Sequence, residues 1–508
     1  MLSITEPDFA LPVLPASFNL AEHVLAKGMD APDRIAMQIL KLSGAERWSY
    51  ARLIAALRGV AGLLQAQGLQ PGERVLLRLG NQPEFPLAFL GAIAAGLVPV
   101  PTSAQLTAPE ITAMAAPLEP ALVIAAEGIA LPDHPAPVLA ARDLRQAETL
   151  PPGDWHRGDA ERPAYIVFTS GTSGQPQAVV HAHRAILGRA PMHHGWEGLV
   201  PEDRLLHAGA FNWTYTLGTG LLDPWTVGAT ALIPGPGITP AQLPLLLKRF
   251  DATILAAAPG VIRQMLRAPL PALPKLRHGL VAGESLVPDL RARWQAMTGT
   301  DLHEALGMSE CSTFISGSPA RPAPDGHIGY AQPGRYIAVL DAVGDPVPRG
   351  TVGELAVSVT DPGLMLGYLE APEATEARQK NGWFLTGDLV AMRADGALSY
   401  QGRADDQMNP GGFRVSPQEV EAVLAGLPDL AECAVAEVEV QPGVRVIACF
   451  FTAQTTDTPV QIERLSAFAA DRLARYKQPR IWQEVAALPR NANGKLNRRA
   501  LPMLWTPT

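Results

Sequence analysis

The alternation of apolar strands with amphipathic helices in the first third of the chain most constrains its fold. We predict strands at 34–40, 74–79, 98–102 and 121–126, and helices at 50–69, 84–97 and 108–118. Such alternation is typical of parallel β-α-β units in a layered α/β domain. Apolar strands predicted at 229–233, 254–257 and 280–282 continue it. At 508 residues the chain is too long for one ordinary core, so we expect more than one domain.

The pattern changes twice towards the C-terminus. From about residue 329 to 400, short strands separated by Gly and Pro turns predict a small β-rich subdomain. Ser416-Pro417-Gln418-Glu419 then has the form of a helix-capping box and opens a separate α+β unit. The predicted fold class is α/β, with a large multi-subdomain N-terminal α/β domain at 1–402 and a small C-terminal α+β domain at 403–508.

Charge and cysteine content exclude several classes of protein. The formal net charge of −8 argues against a dedicated nucleic-acid binder. Cys311, Cys433 and Cys449 fit neither a disulfide framework nor a zinc site, which indicates reduced thiols in a cytoplasmic protein. The N-terminus lacks the pattern of a signal peptide, and the most apolar stretch, 86–100, is too short to span a bilayer. We expect no stable membrane insertion. The sequence leaves open whether the protein forms a homodimer.

A run of hydroxyl-bearing residues and glycines follows the apolar strand that ends at Phe168. It contains Thr169, Ser170, Gly171, Thr172, Ser173 and Gly174. Small residues let backbone N–H groups surround an anion, and the hydroxyls add further donors. A helix-like segment at 183–189 follows, so strand, loop and helix together indicate phosphate binding. The spacing is not that of a Walker loop, and taken alone such a run is usually only a loop.

Further motifs follow this loop in a fixed order. They lie at 282–285, 306–310, 382–388, 402–406, 412–414 and 489–495. With the loop, they resemble the adenylate-forming (AMP-binding) superfamily, in its acyl- and aryl-CoA synthetase branch, over residues from about 20 to 500. The resemblance implies an AMP-forming acid–thiol ligase. Such an enzyme activates a small carboxylic acid with ATP and Mg²⁺ to an acyl-adenylate and transfers the acyl group to coenzyme A.

The resemblance also implies the role of individual residues. Lys495 would stabilise negative charge during adenylation, Glu310 would hold magnesium, and Thr169 would act in the phosphate loop. The implied nucleotide and coenzyme A contacts are Ser170, Gly171, Thr172, Ser173, Gly174, Gly283, Glu284, Ser285, Leu306, Gly307, Met308, Ser309, Asp388, Arg403, Gly412, Phe413 and Arg414. The implied acid pocket contains Phe211, Asn212, Trp213, Tyr215 and Gly307. Residues 403–406 resemble the hinge about which the small domain of this family rotates.

The sequence departs from the family pattern at several positions. Gln177 replaces a lysine of the phosphate loop, and Leu306 replaces an aromatic residue that stacks on adenine. Asn409 replaces a lysine that is frequent after the hinge. Gly307 stands where the acetate-specific branch has a tryptophan, so we expect an acid larger than acetate, aryl or branched.

Two other functions stay open at this point. The chain could load a carrier protein instead of coenzyme A, or bind nucleotides without ligase activity. A metal site at His181, His183, His193 and His194 is not predicted, because no acidic or thiol partner lies at ligand spacing in the sequence.

Overall fold

The structure is a computed structural model. It describes residues 1–5, 13, 15–170, 176–283, 286, 288–403, 408–413, 415, 417–454, 460–489, 496 and 498–505. Its strands are β1 Ile35–Lys41, β2 Gly44–Ser49, β3 Arg74–Arg78, β4 Val98–Pro101, β5 Leu122–Ala125, β6 Val138–Ala140, β7 Pro163–Ser170, β8 Pro176–Ala182, β9 Arg204–His207, β10 Thr230–Pro234, β11 Ile254–Ala257, β12 His278–Ala282, β13 Asp301–Met308, β14 Ser312–Ser316, β15 Tyr330–Ala331, β16 Ile337–Leu340, β17 Val352–Ser358, β18 Gly367–Tyr368, β19 Gln379–Lys380, β20 Trp383–Met392, β21 Leu398–Arg403, β22 Leu430–Gln441, β23 Val444–Ala453 and β24 Ile481–Glu484. Its α-helices are α1 Leu20–Asp30, α2 Tyr50–Ala66, α3 Glu84–Ala94, α4 Ala108–Leu118, α5 Ala190–Met192, α6 Thr214–Leu217, α7 Asp223–Val227, α8 Leu243–Arg249, α9 Pro259–Met265, α10 Pro288–Thr298, α11 Pro372–Glu376, α12 Pro417–Leu424 and α13 Ile462–Arg472.

The largest sheet, within the described residues, has nine strands in the order β15-β14-β13-β12-β11-β9-β10-β1-β2. Its central strands, from β13 through β11 and β9 to β1, run parallel. A second sheet has the order β4-β3-β5-β6 and is parallel throughout. Ligands of open α/β sheets usually bind beyond the carboxyl ends of such strands. The predicted α/β class is confirmed.

Helix α3 is buried on every side. All of its residues, including Glu84, are buried, and Val60 of α2 lies against Gly91. A Cβ at Gly91 would lie 2.6 Å from Val60 Cγ1, so the glycine lets the two helices approach closely. Glu84 is neutralised by an ion pair with Arg145. The apolar stretch at 86–100 is therefore a core helix followed by strand β4, as predicted.

The β-rich subdomain has the sheet order β16-β17-β20-β19, with β21 paired to β20. The predicted limits were too wide, because β15 joins the nine-stranded sheet and β18 pairs with β8. The first residues of the chain also add to this subdomain, since Ile4 forms a bridge with Ala338.

The phosphate-loop segment differs from its prediction. Strands β7 and β8 form an antiparallel hairpin in which Thr169 pairs with Gln177. The helical segment His183–Arg189 is a 3-10 helix that begins only after β8. The predicted succession of strand, loop and helix was wrong, because the residues after the loop form a strand paired with β7. The loop residues 171–175 lie outside the described part of the chain.

The C-terminal unit is an α+β structure around the sheet β22-β23-β24. One face of the sheet packs on α12 and α13 through Val420, Leu424, Leu465 and Ala469. The other face packs on the 3-10 helix Arg498–Leu504 through Leu501.

Candidate active site

A cavity of about 830 Å³ lies beyond the carboxyl ends of β11, β12 and β13, where the C-terminal unit meets the larger part of the chain. Many of the predicted site residues line it together. They are Thr169, Asn212, Trp213, Tyr215, Gly283, Leu306, Gly307, Met308, Ser309, Asp388, Gly412 and Phe413. The fold therefore brings motifs from distant parts of the sequence to one cavity.

Other predicted residues lie elsewhere. Phe211 does not line the cavity, and its ring packs 4.9 Å from that of Phe85 in the core. Glu310 is also absent from the lining residues, although it follows the lining residue Ser309, and its buried Oε1 accepts a hydrogen bond of 2.7 Å from Tyr368. Gly171, Thr172, Ser173, Gly174, Glu284, Ser285, Arg414 and Lys495 lie outside the described residues, and only the backbone is described for Ser170 and Arg403.

Asp388 provides a buried carboxylate at the cavity. It lies on β20 opposite Arg403, and only 2% of it is exposed. The hydroxyl of Tyr400 lies 3.4 Å from Asp388 Oδ1, and the backbone N–H of Asp388 donates to Thr386 Oγ1. A carboxylate held in this way can accept hydrogen bonds from a pair of hydroxyl groups, such as those of a ribose.

Gly283 lines the cavity at a point where the Trp213 ring leaves no room for a side chain. Its φ of +91° favours glycine, and a Cβ there would lie 2.5 Å from the Trp213 ring. Its carbonyl accepts a hydrogen bond of 2.5 Å from Asn409 Nδ2 of the C-terminal unit. Asn409, the residue in place of the family lysine, therefore joins the two parts of the protein at the cavity.

Gly307 lines the cavity for a reason that the sequence did not reveal. A Cβ at this position would lie 2.3 Å from the carbonyl oxygen of Ser312 and 2.5 Å from the Cα of Thr313. The close approach of β14 to a bulge in β13 therefore requires glycine here, besides any requirement for space in the pocket.

Glu304 is a cavity residue that no sequence motif identified. Burial raises its pKa to about 7, although a hydrogen bond from the Leu286 N–H and the nearby Arg291 act in the opposite direction. Its charge therefore changes near neutral pH. The sequence carried no signal for this, because Glu304 precedes the recognised motif and its burial depends on neighbouring strands.

Lys477 joins the C-terminal unit to helix α4. Its Nζ lies 2.5 Å from Glu419 Oε1 and 3.6 Å from Glu110 Oε1, and the N–H of Ala474 donates to the same Glu110 oxygen. Burial alone lowers the pKa of Lys477, but Tyr476, Glu419 and Glu110 together raise it above its ordinary value. Lys477 therefore keeps its positive charge in a buried position between two acidic side chains.

Aromatic rings join the same two parts at the cavity. Phe413 stacks on Tyr476 with ring centroids 4.3 Å apart, and Trp213 lies 6.4 Å from Phe413. With the contacts of Asn409 and Lys477, this stack places the segment Gly412–Phe413 at the cavity.

One histidine does have acidic partners at ligand distance, contrary to the prediction. His193, Glu197 and Asp223 are all buried, and their potential ligand atoms lie within 4.8 Å of one another. Glu197 follows His193 by four residues on one helical segment, a spacing that the sequence does contain, whereas Asp223 comes from the distant helix α7 and required the structure. Arg189 already pairs with Asp223, with Nε 2.8 Å from Oδ1, and burial raises the pKa of Glu197. The ion pair of Asp223 and the raised pKa of Glu197 therefore account for the burial of these acidic groups without a metal ion.

Among the described residues, no helix combines the length and the apolar character that crossing a membrane requires.

Comparison with known proteins identifies the family. The model of the AMP-binding enzyme family matches residues 26–369, and that of the AMP-binding enzyme C-terminal domain matches residues 419–495. The chain belongs to the AMP-binding enzyme family. The predicted resemblance to the adenylate-forming superfamily is confirmed.

Individual relatives cover almost the whole chain. A mitochondrial acyl-coenzyme A synthetase of Homo sapiens is 30% identical, over 96% of this chain and 91% of its own. The 3-hydroxybenzoate–CoA/4-hydroxybenzoate–CoA ligase of Thauera aromatica is 28% identical, over 96% of this chain and 97% of its own. The structure of a benzoate CoA ligase from Burkholderia xenovorans LB400 is similar with a TM-score of 0.69 and 28% identity, covering 96% of this chain and 100% of its own.

These findings agree with the predicted class of reaction. The chain is an acid–thiol ligase of the acyl- and aryl-CoA synthetase class. Benzoate and hydroxybenzoate, the acids named for two of the relatives, are larger than acetate, in agreement with the predicted size of the acid.

Proposed function

We propose that this protein converts an aryl carboxylic acid, ATP and coenzyme A into an aryl-CoA thioester, AMP and pyrophosphate. The observation that carries the proposal is the single cavity lined by Asp388 and Ser309, which the resemblance assigns to the nucleotide, and by Gly412 and Phe413, which it assigns to coenzyme A. One cavity of about 830 Å³ can accommodate both half-reactions in turn.

In the first half-reaction the acid attacks the α-phosphate of ATP. Both groups are anionic, so the protein must supply donors and positive charge rather than a base. Asp388 would accept hydrogen bonds from the ribose, and Thr169 and Ser309 would donate to phosphate oxygens. The buried carboxylate of Glu310 is a suitable oxygen ligand for Mg²⁺, which would neutralise phosphate charge when bound.

Lys495 would act in this first step by stabilising charge on the reacting phosphate. We propose that residues 403–508 form the mobile domain, that Arg403 and the residues after it serve as its hinge, and that rotation exchanges Lys495 for the segment Gly412–Phe413. The contacts of Asn409 and Lys477 with the larger domain support an arrangement that serves thioester formation.

The aryl character of the acid is proposed from the walls of the cavity. Trp213 and Tyr215 meet edge to face, with centroids 5.2 Å apart, beside Gly307. Aromatic walls of this kind favour a planar apolar group. The benzoate and hydroxybenzoate ligases among the relatives support the same class of acid.

The test incubates the purified protein with ATP, Mg²⁺ and a panel of aryl, branched and linear acids, with and without coenzyme A. Mass spectrometry then identifies the nucleotide and thioester products. We expect AMP and an acyl-CoA from a subset of aryl acids. An adenylate that forms a thioester only with a carrier protein would contradict the coenzyme A assignment. No nucleotide turnover with any acid would contradict the ligase assignment and implicate Gln177 and Leu306.

A further inference from the structure

A small alcove with both apolar and polar lining residues adjoins the part of the cavity assigned to the acid. Its volume is about 10 Å³, and Thr214, Ser309 and Ser312 line both the alcove and the main cavity. His181 and Arg189 also line the alcove, and the rest of its wall is formed by Tyr165, Leu217, Gly218 and Leu222. Its position beside Trp213, Tyr215 and Gly307 makes it an extension of the proposed acid pocket.

Ser312 has the geometry of a residue held in place for binding. Its φ is +61°, a left-handed conformation that is uncommon for a residue other than glycine and is often retained at ligand sites. Its Oγ accepts a hydrogen bond from Arg189. Among the described residues, the hydroxyl proton has only the sulfur of Met192, at 3.9 Å, as an acceptor. A ligand oxygen would be a better acceptor than this distant thioether.

His181 offers the complementary group. Its Nε2 lies 2.7 Å from the carbonyl oxygen of Ser309, so Nε2 carries the proton and Nδ1 is an acceptor. The residue is only 2% exposed, and Nδ1 has no hydrogen-bond partner among the described residues. The alcove is therefore lined by residues that carry a donor and an unused acceptor.

The size and charge of the alcove decide which substituent fits. A volume of about 10 Å³ corresponds to about one water molecule, which is too small for a second carboxylate. Arg189 is already paired with both oxygens of Asp223, so the alcove presents little free positive charge to an anion. A hydroxyl group has the required size and can both donate and accept.

We infer that the preferred substrate is an aryl acid with a ring hydroxyl, and that Ser312 and His181 determine this specificity by binding that hydroxyl in the alcove. The inference rests on the proposed ligase function. A site built to bind a hydroxyl discriminates strongly against the analogue that lacks it, because its polar groups are then left unpaired.

The test compares the aryl acid turned over best in the panel, without a hydroxyl, with each of its ring-hydroxylated isomers. The kcat/KM for thioester formation is measured for the wild type, Ser312→Gly and Ser312→Ala. Glycine suits the positive φ, so Ser312→Gly removes the hydroxyl without straining the backbone. Thr313→Val is the matched control, because Thr313 lines the main cavity but not the alcove.

We expect at least one hydroxylated isomer to exceed its parent acid in kcat/KM by about tenfold or more, and this ratio to fall by about tenfold in both Ser312 variants. Thr313→Val should change both acids by the same factor and leave the ratio intact. Turnover of the parent acid with no preference for any hydroxylated isomer, or a ratio unchanged in both Ser312 variants, would overturn the inference alone. No thioester from any acid would overturn the proposed function, and the inference with it.

Discussion

At the scale of single residues, Asp388 is the side chain whose role is most directly measurable. Asp388→Asn removes the charge from a buried acceptor while keeping its shape. Hydrogen bonds to charged groups contribute about 1.5–3 kcal/mol, so we expect the affinity for ATP to fall by about 10–100-fold. Isothermal titration with ATP measures it.

The control for Asp388 is Tyr400→Phe, which keeps the aromatic ring and removes the long hydrogen bond of 3.4 Å to the carboxylate. This variant should bind ATP within about threefold of the wild type. Equal affinities of wild type and Asp388→Asn for ATP would contradict the ribose assignment.

The raised pKa of Glu304 predicts how the free energy of unfolding depends on pH. Its pKa is about 7 in the folded protein against an ordinary value of 4.5, so between these values the folded state keeps a proton that the unfolded state has lost. The contribution of Glu304 to stability therefore falls as pH rises from 4.5 to about 7, by at most about 3 kcal/mol.

Glu304→Gln keeps an oxygen acceptor for the Leu286 N–H but cannot ionise. We expect its free energy of unfolding, measured with urea, to exceed that of the wild type at pH 8 and to approach it at pH 5. An identical difference between the two proteins at both pH values would show that Glu304 does not titrate in this range.

The sequence predicted some of the cavity residues and not others. Asp388 and Ser309 could be assigned from motifs because their neighbours in sequence identify them. Ser312 could not, because its role depends on a backbone angle of +61° and on Arg189, which is 123 residues away. Gly307 was recognised, but its contact with Ser312 depends on how two strands pair.

At the scale of secondary-structure elements, the sequence predicted the limits of a helix or strand correctly where local capping residues or a short apolar run define them. Helix α4 has its predicted limits because Thr107 and Glu110 form a capping box at its start. Strand β11 also has its predicted limits, as expected for a short buried apolar run. The hairpin of β7 and β8 was missed because pairing between strands is not encoded in local periodicity.

The link between α4 and the C-terminal unit is testable in the same way. Lys477→Met leaves Glu110 and Glu419 without their buried cation, and breaking such a pair costs about 3–5 kcal/mol. We expect transfer from preformed acyl-adenylate to coenzyme A to slow by at least about tenfold, while adenylate formation changes by less than about threefold. Rapid-quench assays of each half-reaction measure this.

Arg464→Met provides the matched control for Lys477→Met. It breaks an exposed ion pair with Asp429 inside the C-terminal unit, where such pairs contribute little. Both half-reactions should keep their rates. Equal slowing of both half-reactions in Lys477→Met would contradict a role of this contact in one arrangement only.

At the scale of the whole molecule, the α/β class and the C-terminal α+β unit were predictable from the sequence, because periodicity and caps recur along the chain. The cavity required the structure, since Trp213, Asp388 and Phe413 are brought together only by the packing of separate units. The segment Gly412–Phe413 lies at the cavity, and this is the arrangement proposed for thioester formation.

We propose that one cavity serves both half-reactions with different segments of the C-terminal domain. The most direct test of this mechanism measures the two half-reactions separately in Lys495→Ala. We predict that the folded variant loses acid-dependent exchange of pyrophosphate into ATP, because the charge on the reacting phosphate is no longer stabilised. It should still transfer the acyl group of a supplied acyl-adenylate to coenzyme A at nearly the wild-type rate. Equal loss of both activities, or exchange that persists, would contradict the two-segment mechanism.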